Sequence, residues 1–441
     1  MKFYNREQEI TNLQEIRKLA YEDHSRLTVV AGRRRIGKTS LIIKALEDEP
    51  FLYFFVGRKN ESELCAGFCK EITEKLGIFV PEINTFREVF LFLMQQGQTK
   101  RFSLVIDEFQ EFFNINPSVY SDIQNYWDQY RLKTHVNFVV SGSVYSLMVK
   151  IFQNYHEPLF GRADVSIRLQ AFSLSVLKQI MADYHKPYTN DDLLALFTIT
   201  GGIPKYVELL VDAKALSVKK MIHTVCNPDS PFKDEGKNLL IDEFGKNYGT
   251  YFSILDLISG GRNTQGDIAA ALGEKSIGGQ LKKLEEAYGV IKKRRPLLSK
   301  AGTQTVRYEI SDMFLRFWFR YFESNRTLIE MNQFSVLEKL ILADYTTYSG
   351  LTLEDYFKRQ FIESHEYRDM GSYWEARKGK EQYEIDIVAL KLQKDKAVAV
   401  EVKRQRKSFN AKLFAEKVQH LKEKVLHGYD IEQRCLTLEE M

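Results

Sequence analysis

The chain has 441 residues, enough for two to four domains, and 44% hydrophobic and 28% charged residues give it an ordinary globular composition. A net charge of +4 is too small to indicate nucleic-acid binding by itself, so such a function has to rest on local clusters. No apolar run reaches the length of a membrane span, the first residues do not resemble a signal peptide, and the four cysteines form no C-x-x-C pair. We therefore expect a cytoplasmic protein with reduced thiols and no membrane partner.

Apolar strands alternate with amphipathic helices up to about residue 160, a pattern typical of a parallel α/β sheet. The predicted strands are Leu27–Ala31, Phe51–Phe55, Phe102–Ile106 and Val136–Val140. Because parallel strands end at one edge of their sheet, polar residues that follow these strands are expected to face one crevice.

The first strand runs into a complete phosphate-binding loop of the G-x-x-x-x-G-K-[ST] form, and a helical stretch follows it. Its glycines let backbone N–H groups turn toward phosphate oxygens, its lysine can reach the terminal phosphates, and its threonine hydroxyl can bind Mg²⁺. The sequence therefore predicts a nucleotide site with Mg²⁺. The loop residues predicted to hold the nucleotide are Gly32, Arg33, Arg34, Arg35, Ile36, Gly37, Lys38, Thr39 and Ser40.

Two acids follow the third strand, and a hydroxyl-rich tip follows the fourth. We expect Asp107 to hold the water shell of Mg²⁺ together with Thr39, and Glu108 to polarise the attacking water. The alternative for Glu108 is an ordinary solvated loop acid. Ser143, in the sequence Ser141-Gly142-Ser143, is expected to face the phosphate crevice, and the alternative is a simple turn.

Two further features follow the predicted sheet. Arg162 comes directly after Gly161 and is a candidate for sensing the γ-phosphate, as arginine fingers do, with a plain surface arginine as the alternative. Farther along, Gly201-Gly202-Ile203-Pro204 cannot continue a helix, because paired glycines and a proline interrupt it. We expect a sharp, rigid joint between helices at this point.

From about residue 241 to residue 311 the pattern changes to helices followed by a hairpin, the order of a winged helix. Its predicted helices and strands are Tyr251–Ile258, 264–272, Ser276–Tyr288, Val290–Pro296 and Val306–Ile310. A basic cluster on the second helix and the wing is a candidate surface for duplex DNA phosphates. The alternative is a charged face that packs on other domains. The cluster consists of Lys282, Lys283, Lys292, Lys293, Arg294 and Arg295.

The C-terminal segment contains an alternating strand, Gln382–Leu390, and a return strand, Ala397–Lys403. Residues two apart share one side of a strand, so Asp386 is expected to meet Glu401 and Lys403 on one face of this hairpin.

Acids on neighbouring strands with a nearby lysine are the parts of a Mg²⁺-dependent nuclease. Asp386 and Glu401 would bind the metal, and Lys403 would lie beside the scissile phosphate. Glu354 or Glu363, on the preceding helix, is expected to supply another ligand. The alternative is a structural hairpin whose charges form salt bridges.

Five motifs together resemble the archaeal-type ATPase family within the STAND branch of P-loop NTPases: the phosphate loop, Asp107-Glu108, Ser141-Gly142-Ser143, Gly161-Arg162 and Gly201-Gly202-Ile203-Pro204. The opening Phe3–Glu7 also looks like that family's F-x-x-R-E start, which lies near the nucleotide. The resemblance implies ATP as the nucleotide, adds Arg6 and Pro204 to the nucleotide-binding residues, and implies a nucleotide-controlled switch.

A second resemblance concerns the tail. Phe314–Trp318 and the hairpin that carries E-x-D and E-x-K look like the domain that often follows this ATPase, which is similar to restriction-like PD-(D/E)xK nucleases. We accordingly expect a P-loop α/β domain at 1–165, a helical lid at 166–238, a winged helix at 239–325 and a nuclease-like α/β domain at 326–441.

Two functions are consistent with this organisation. The leading hypothesis is an ATP-hydrolysing switch that acts on DNA through the winged helix and the nuclease-like tail. The alternative is a scaffold or protein-interaction switch that ATP controls and whose tail is catalytically inactive. The partners expected are ATP, duplex DNA and other proteins.

Overall fold

The computed structural model describes residues 1–245, 248–299, 306–375 and 383–441. Internal contacts divide the chain into two units, one of residues 2–171 and one of residues 172–441 together with Met1. The first is called the N-terminal unit and the second the C-terminal unit.

The N-terminal unit is built on a five-stranded sheet in the order β2-β3-β4-β1-β5, and all its strand pairs are parallel. The strands are β1 (Arg26–Ala31), β2 (Phe51–Phe55), β3 (Arg101–Asp107), β4 (His135–Gly142) and β5 (Val165–Arg168). The predicted α/β fold with a parallel sheet is confirmed, and the four predicted strands are present. The short edge strand β5 was not predicted.

Helices of the N-terminal unit connect these strands: α1 (Glu7–Glu22), α2 (Lys38–Leu46), α3 (Glu61–Leu76), α4 (Phe86–Gln96), α5 (Phe112–Ile115), α6 (Val119–Tyr130) and α7 (Tyr145–Gln153). Near-continuous apolar runs suit strands that are covered on both faces, and β3 and β4 are buried along most of their length. An aromatic cluster joins the helices to the sheet, where the rings of Phe54 and Phe68 stack with centroids 4.2 Å apart. This core fixes the strand tips that carry the nucleotide-site residues.

The C-terminal unit begins with five helices: α8 (Leu174–Tyr184), α9 (Asn190–Thr200), α10 (Pro204–Asp212), α11 (Val218–Val225) and α12 (Phe232–Phe244). The predicted joint lies between α9 and α10, where Pro204 occupies the first helical position. Gly202 has a φ of +79°, and a Cβ there would lie 2.7 Å from the carbonyl oxygen of Phe172. Only glycine fits both the backbone conformation and the available space.

Next come α13 (Tyr248–Ser259), α14 (Gln265–Leu272), α15 (Gly278–Lys282), a π-helical turn (Lys283–Ala287) and an antiparallel hairpin of β6 (Ile291–Arg294) and β7 (Arg307–Ile310). The Thr264 hydroxyl accepts from the Asp267 N–H and so begins α14, as the T-x-x-D pattern predicts. The predicted helices and hairpin strands are present, and residues 300–305 of the hairpin loop lie outside the described residues. That these elements form a winged helix stays a prediction.

The tail forms a four-stranded sheet with long and short helices. Its elements are α16 (Met313–Tyr321), α17 (Arg326–Glu330), α18 (Phe334–Glu363), β8 (Tyr367–Trp374), β9 (Glu384–Lys391), β10 (Lys396–Val402), α19 (Ala411–Lys424) and β11 (Asp430–Leu436). The order is β11-β10-β9-β8, with β10 and β11 parallel and the other pairs antiparallel. The predicted hairpin is present, and Gln382, its predicted first residue, lies outside the described residues. None of the helices in the described ranges has the length and apolar character needed to cross a membrane.

Candidate functional site

The phosphate loop connects β1 to α2, and its backbone takes two left-handed turns. Arg35 has a φ of +69°, and Gly37, which precedes the first residue of α2, has a φ of +89°. Lys38 is buried, and its Nζ donates to the carbonyl oxygens of Gly32 at 2.9 Å and Arg33 at 3.1 Å. The loop's own carbonyls therefore hold the ammonium over the loop, which is where a nucleotide's terminal phosphates would meet it.

Asp107 ends β3 and is buried among hydroxyl groups. Its Oδ2 accepts from Thr39 Oγ1 at 2.8 Å and from Tyr53 OH at 2.5 Å, and its Oδ1 accepts from Ser141 Oγ at 2.5 Å. Burial opposes the charge of Asp107, but the hydrogen bonds from Ser141, Tyr53 and Thr39 outweigh it and hold the pKa of this carboxyl below its usual value. Asp107 is therefore ionised, with neutral groups as its partners.

The Thr39 hydroxyl and the Asp107 carboxylate, both predicted to serve the metal, lie in contact. Hydroxyl and carboxylate oxygens are ligands that suit Mg²⁺, which binds through one or two carboxylates together with substrate phosphates. Within the described residues no group of three or more His, Cys, Asp or Glu side chains is arranged to hold a metal ion. The donors at this site fit a metal that arrives with a nucleotide rather than a cage made wholly of protein side chains.

Glu108 has a left-handed backbone, with a φ of +55°, and its carboxylate is fixed by neighbours. Its Oε2 accepts from Gln110 Nε2 at 2.5 Å and from Ser143 Oγ at 2.6 Å. These contacts make Glu108 a positioned side chain rather than a freely solvated loop acid. Ser143, predicted to contact nucleotide, is placed by the structure on Glu108.

Arg162 lies at the other end of the sheet. Its Nε and Nη2 donate to the Asp128 carboxylate, with the shortest distance at 2.9 Å, and its Nη1 donates to the Phe160 carbonyl. Asp164, two residues on, bonds to Leu27 near the start of β1. The phosphate loop leaves from the opposite end of that strand. Arg162 therefore lies too far from the phosphate loop to contact a nucleotide bound to the same chain, and the arginine-finger interpretation is corrected in that respect.

Arg6 lies close to the phosphate loop, as the resemblance implies. Its Nη2 donates to the Gln170 carbonyl at 2.5 Å. The adjoining Leu169 packs against the loop so closely that a Cβ at Gly32 would lie 3.2 Å from the Leu169 carbonyl oxygen. Pro204 belongs to the C-terminal unit, and its role toward the nucleotide stays a prediction.

A second group of titratable residues, the acid–lysine cluster, lies in the C-terminal unit and consists of Glu354, Asp386, Glu401 and Lys403. The register pairs Ile387 with Val400, so the next position sets Asp386 opposite Glu401 on the same face of the antiparallel pair. Burial, and then the Asp386 carboxylate, raises the pKa of Glu354 to about 7. The influence of Asp386 on Glu354 is consistent with α18 placing Glu354 near this strand acid.

Lysines already contact the acids of this cluster. Glu401 pairs with Lys403 Nζ at 2.9 Å and with Lys417 Nζ at 3.2 Å, and Asp386 Oδ2 accepts from the Val402 N–H at 2.7 Å. Burial disfavours the charge of Lys403, but its hydrogen bond to Glu401 outweighs it and raises the lysine pKa. Burial also raises the pKa of Asp386, opposed by the Val402 N–H.

The sequence left Glu354 and Glu363 as competing ligands, and the structure separates them. Glu363 accepts from the Leu174 N–H at 3.0 Å and from Arg359 Nε at 3.0 Å, so it supports the start of α8 and not the cluster. Lys417 was not predicted, because only the packing of α19 brings it to Glu401. No local pattern around Lys417 could have indicated this contact.

The predicted DNA-contacting cluster on the wing is largely engaged with acids. Lys292 pairs with Glu309 at 2.7 Å, Lys293 with Glu285 at 2.9 Å, and Arg294 with Glu309 at 3.0 Å. Arg295 is exposed and makes no ion pair within the described ranges. These pairs support the alternative of a charged face that packs on protein.

Comparison with known proteins finds similarity to ATPases in the first half of the chain. Residues 3–210 match a family described as an ATPase domain predominantly from Archaea, and residues 318–414 match a family described as archaeal and bacterial proteins of unknown function. The uncharacterized protein MJECL04 of Methanocaldococcus jannaschii is 28% identical over 410 residues, which cover 91% of this chain and 87% of that protein.

Two solved structures are also similar. The Walker-type ATPase PABY2304 of Pyrococcus abyssi is 18% identical with a TM-score of 0.53, over 72% of this chain and 96% of that chain. The ORC2 protein of Aeropyrum pernix, in ADPNP–ADP complexes, is 12% identical with a TM-score of 0.48, over 75% of this chain and 95% of that chain. The first likeness is one of fold. It shows a fold like that of Walker-type ATPases, and residues 3–210 are similar to the ATPase domain described as predominantly from Archaea.

Proposed function

We propose that this protein is a switch that binds and hydrolyses ATP. The observation that carries the proposal is the joining of three strand tips at one phosphate loop. Thr39 contacts Asp107, and Glu108 is fixed beside them by Ser143. The groups that phosphoryl transfer needs for the phosphates, the metal and the water are thus within one crevice.

The residues have separable roles in hydrolysis. Lys38 binds the terminal phosphates as a point charge, and Asp107 with Thr39 holds the Mg²⁺ that accompanies them. A water oxygen then forms a bond to the γ-phosphorus while the bond to the bridging oxygen breaks, which gives ADP and phosphate. Glu108 accepts the proton of the attacking water, and Gln110 and Ser143 keep its carboxylate aimed.

Phosphate release tests this part of the proposal. We expect hydrolysis of ATP that depends on Mg²⁺ and is stopped by EDTA, with GTP turned over more slowly. A purified, folded protein that neither binds nor hydrolyses Mg-ATP would contradict it.

We further propose that the C-terminal unit carries a nuclease-like site directed at DNA. Support comes from Asp386 and Glu401, which the strand register sets opposite each other, and from Lys403 in direct contact with Glu401. Glu354 is close enough for the Asp386 carboxylate to raise its pKa.

Asp386 and Glu401 would hold a divalent ion that would supply an activated water, and Lys403 would stabilise negative charge at the scissile phosphate. Within the described residues no third acid is arranged with them to hold a metal ion, so the ion would rely on these two carboxylates and the DNA phosphate. ATP binding would then control when this site acts.

A plasmid-nicking assay with Mg²⁺ or Mn²⁺, with and without ATP, tests the nuclease part. Asp386→Asn is expected to abolish nicking, while the exposed Asp395→Asn, in the turn between β9 and β10, serves as the matched control and retains it. Nicking that survives in Asp386→Asn would assign it to a contaminant.

The alternative function, a scaffold that ATP controls and whose tail is inactive, is favoured by two observations. Two lysines already neutralise Glu401, and Lys292, Lys293 and Arg294 of the wing are paired with acids. If wild-type protein hydrolyses ATP but nicks no DNA with either metal, the scaffold is the better account. Its signature would be a nucleotide-dependent change in oligomeric state or in partner binding.

A further inference from the structure

An arginine that the sequence did not single out lies at the same edge of the sheet as the nucleotide site. Arg168 ends β5, and the strand register pairs it with Ala31, the last residue before the phosphate loop. The N–H of the next residue, Leu169, donates to the Ala31 carbonyl at 2.9 Å. The backbone of Arg168 is therefore fixed beside the start of the loop.

The side chain of Arg168 extends across this edge. Its guanidinium carbon lies 4.6 Å from the centre of the Tyr145 ring, and Tyr145 begins α7, just after β4. Strand β1 lies between β4 and β5 in the sheet. An arginine on β5 that reaches a ring beyond β4 therefore passes over the tip of β1, where the phosphate loop begins.

The Tyr145 ring that the Arg168 guanidinium contacts lies close in sequence to a residue that holds Glu108, the proposed hydrolytic base. Ser143, two residues before Tyr145, donates to Glu108 at 2.6 Å. The guanidinium thus lies between the phosphate loop and the residues that hold Glu108. In a nucleotide bound by the loop, the γ-phosphate belongs between these same groups, because Lys38 binds it from one side and Glu108 aims water at it from the other.

The charge of Arg168 is available to a ligand. The side chain is exposed, and within the described residues it forms no ion pair with an acid. Contact with an aromatic face leaves the N–H donors at the edge of a guanidinium free for other partners. The Arg162 guanidinium, by contrast, donates hydrogen bonds to the Asp128 carboxylate.

We propose that Arg168 binds the γ-phosphate of ATP in cis and stabilises the charge on its oxygens as the bond to ADP breaks. This inference rests on the proposed ATPase function and names the cation that the function uses. A guanidinium can offer two parallel N–H donors to phosphate oxygens, which a lysine cannot do. The Tyr145 ring holds the guanidinium in the crevice until nucleotide arrives.

The test compares Arg168→Ala and Arg168→Lys with Arg101→Ala. Arg101 is an exposed arginine at the start of β3, at the opposite end of the strands from the phosphate loop, which makes it a matched control. Single-turnover hydrolysis and calorimetric binding of Mg-ATP and Mg-ADP are measured for each. We expect Arg168→Ala to lower the hydrolysis rate about tenfold or more and to weaken ATP binding several-fold. ADP binding should change less than about twofold, and lysine should restore only part of the rate.

The outcomes separate the inference from the proposed function. Retained ADP binding shows that the variant is folded and that its loop is intact. If wild type hydrolyses ATP, and Arg168→Ala hydrolyses and binds ATP as well as wild type and Arg101→Ala do, the inference is overturned and the ATPase function stands. Equal weakening of ATP and ADP binding would also overturn it, since the γ-phosphate would not be the contact. A wild-type protein that neither binds nor hydrolyses ATP would contradict both the inference and the proposed ATPase function.

Discussion

The two acidic sites of this protein differ in what surrounds their carboxylates. At the phosphate loop, Asp107 and Glu108 accept from hydroxyl and amide groups, which fix a carboxylate without neutralising it. In the acid–lysine cluster, Glu401 contacts two ammonium groups. The first arrangement keeps its negative charge for a metal ion, while in the second a metal has to compete with lysines. The geometry therefore supports the proposed ATPase function more strongly than the proposed nuclease activity.

The largest effect is expected at Lys38. Lys38→Ala removes the charge that the loop carbonyls hold in place, and Mg-ATP affinity should fall about a hundredfold or more. Calorimetric titration measures this. The control is Lys44→Ala, which removes an exposed lysine of the same helix that pairs with Glu47. If both variants bind ATP like wild type, the phosphate-loop assignment is wrong.

Glu108→Gln should separate binding from turnover. Glutamine can accept the same hydrogen bonds from Ser143 and Gln110 but cannot take a proton, so hydrolysis should slow about a hundredfold with ATP affinity preserved. Asp107→Asn should additionally weaken the response to Mg²⁺. A Glu108→Gln variant that turns over ATP at the wild-type rate would place the base elsewhere.

The competition between lysine and metal in the tail can be measured directly. Lys417→Met removes one of the two charges on Glu401 and keeps most of the side-chain volume, so Mn²⁺ should bind about tenfold more tightly. Lys412→Met, at an exposed position on the same helix, is the control. Unchanged Mn²⁺ affinity in Lys417→Met would show that Glu401 takes no part in metal binding.

The smallest effect is expected on the wing. If all four basic residues of the wing contacted DNA phosphates, replacing them by alanine would lower the salt slope of DNA binding by about four units. Because Lys292, Lys293 and Arg294 are paired with acids, we expect a change of only about one unit, mainly from Arg295. Binding of duplex DNA by wild type and the fourfold variant across a salt series decides this. A loss of about four units would mean that the acids release the cluster to DNA.

Local patterns predicted much of the fold and supplied the residues proposed for the centre of the nucleotide site. The phosphate loop, the acids after β3 and the T-x-x-D helix start are each contained in a few consecutive residues, so the sequence displays them directly. The four apolar strands were recognised for the same reason. The edge strand β5 has only four residues, with exposed positions in its pattern, and it gave no such signal.

The residues that sequence reasoning missed are those brought in by the order of the strands and by helix packing. Tyr53 meets Asp107 because β2 lies beside β3, and Arg168 reaches Tyr145 across β1. The glycine–arginine pair at Arg162 does not reveal which end of the strands it occupies, so the sequence could not decide between a γ-phosphate sensor and a surface arginine. Lys417 depends on how α19 lies against β10. Such relations join residues far apart in the chain, and no local motif records them.

Glu108 has a left-handed backbone, so the residue that would best stabilise the fold at position 108 differs from the residue proposed for ATP turnover. Residues other than glycine, asparagine and aspartate adopt this conformation at a cost of about 1 kcal/mol or more. Heat-resistant variants selected without regard to activity should therefore tend to replace Glu108 by glycine or asparagine, and each replacement would remove the proposed proton acceptor. Selection for ATP turnover should retain glutamate. Position 108 would then report, in a library of variants, which of the two pressures had acted.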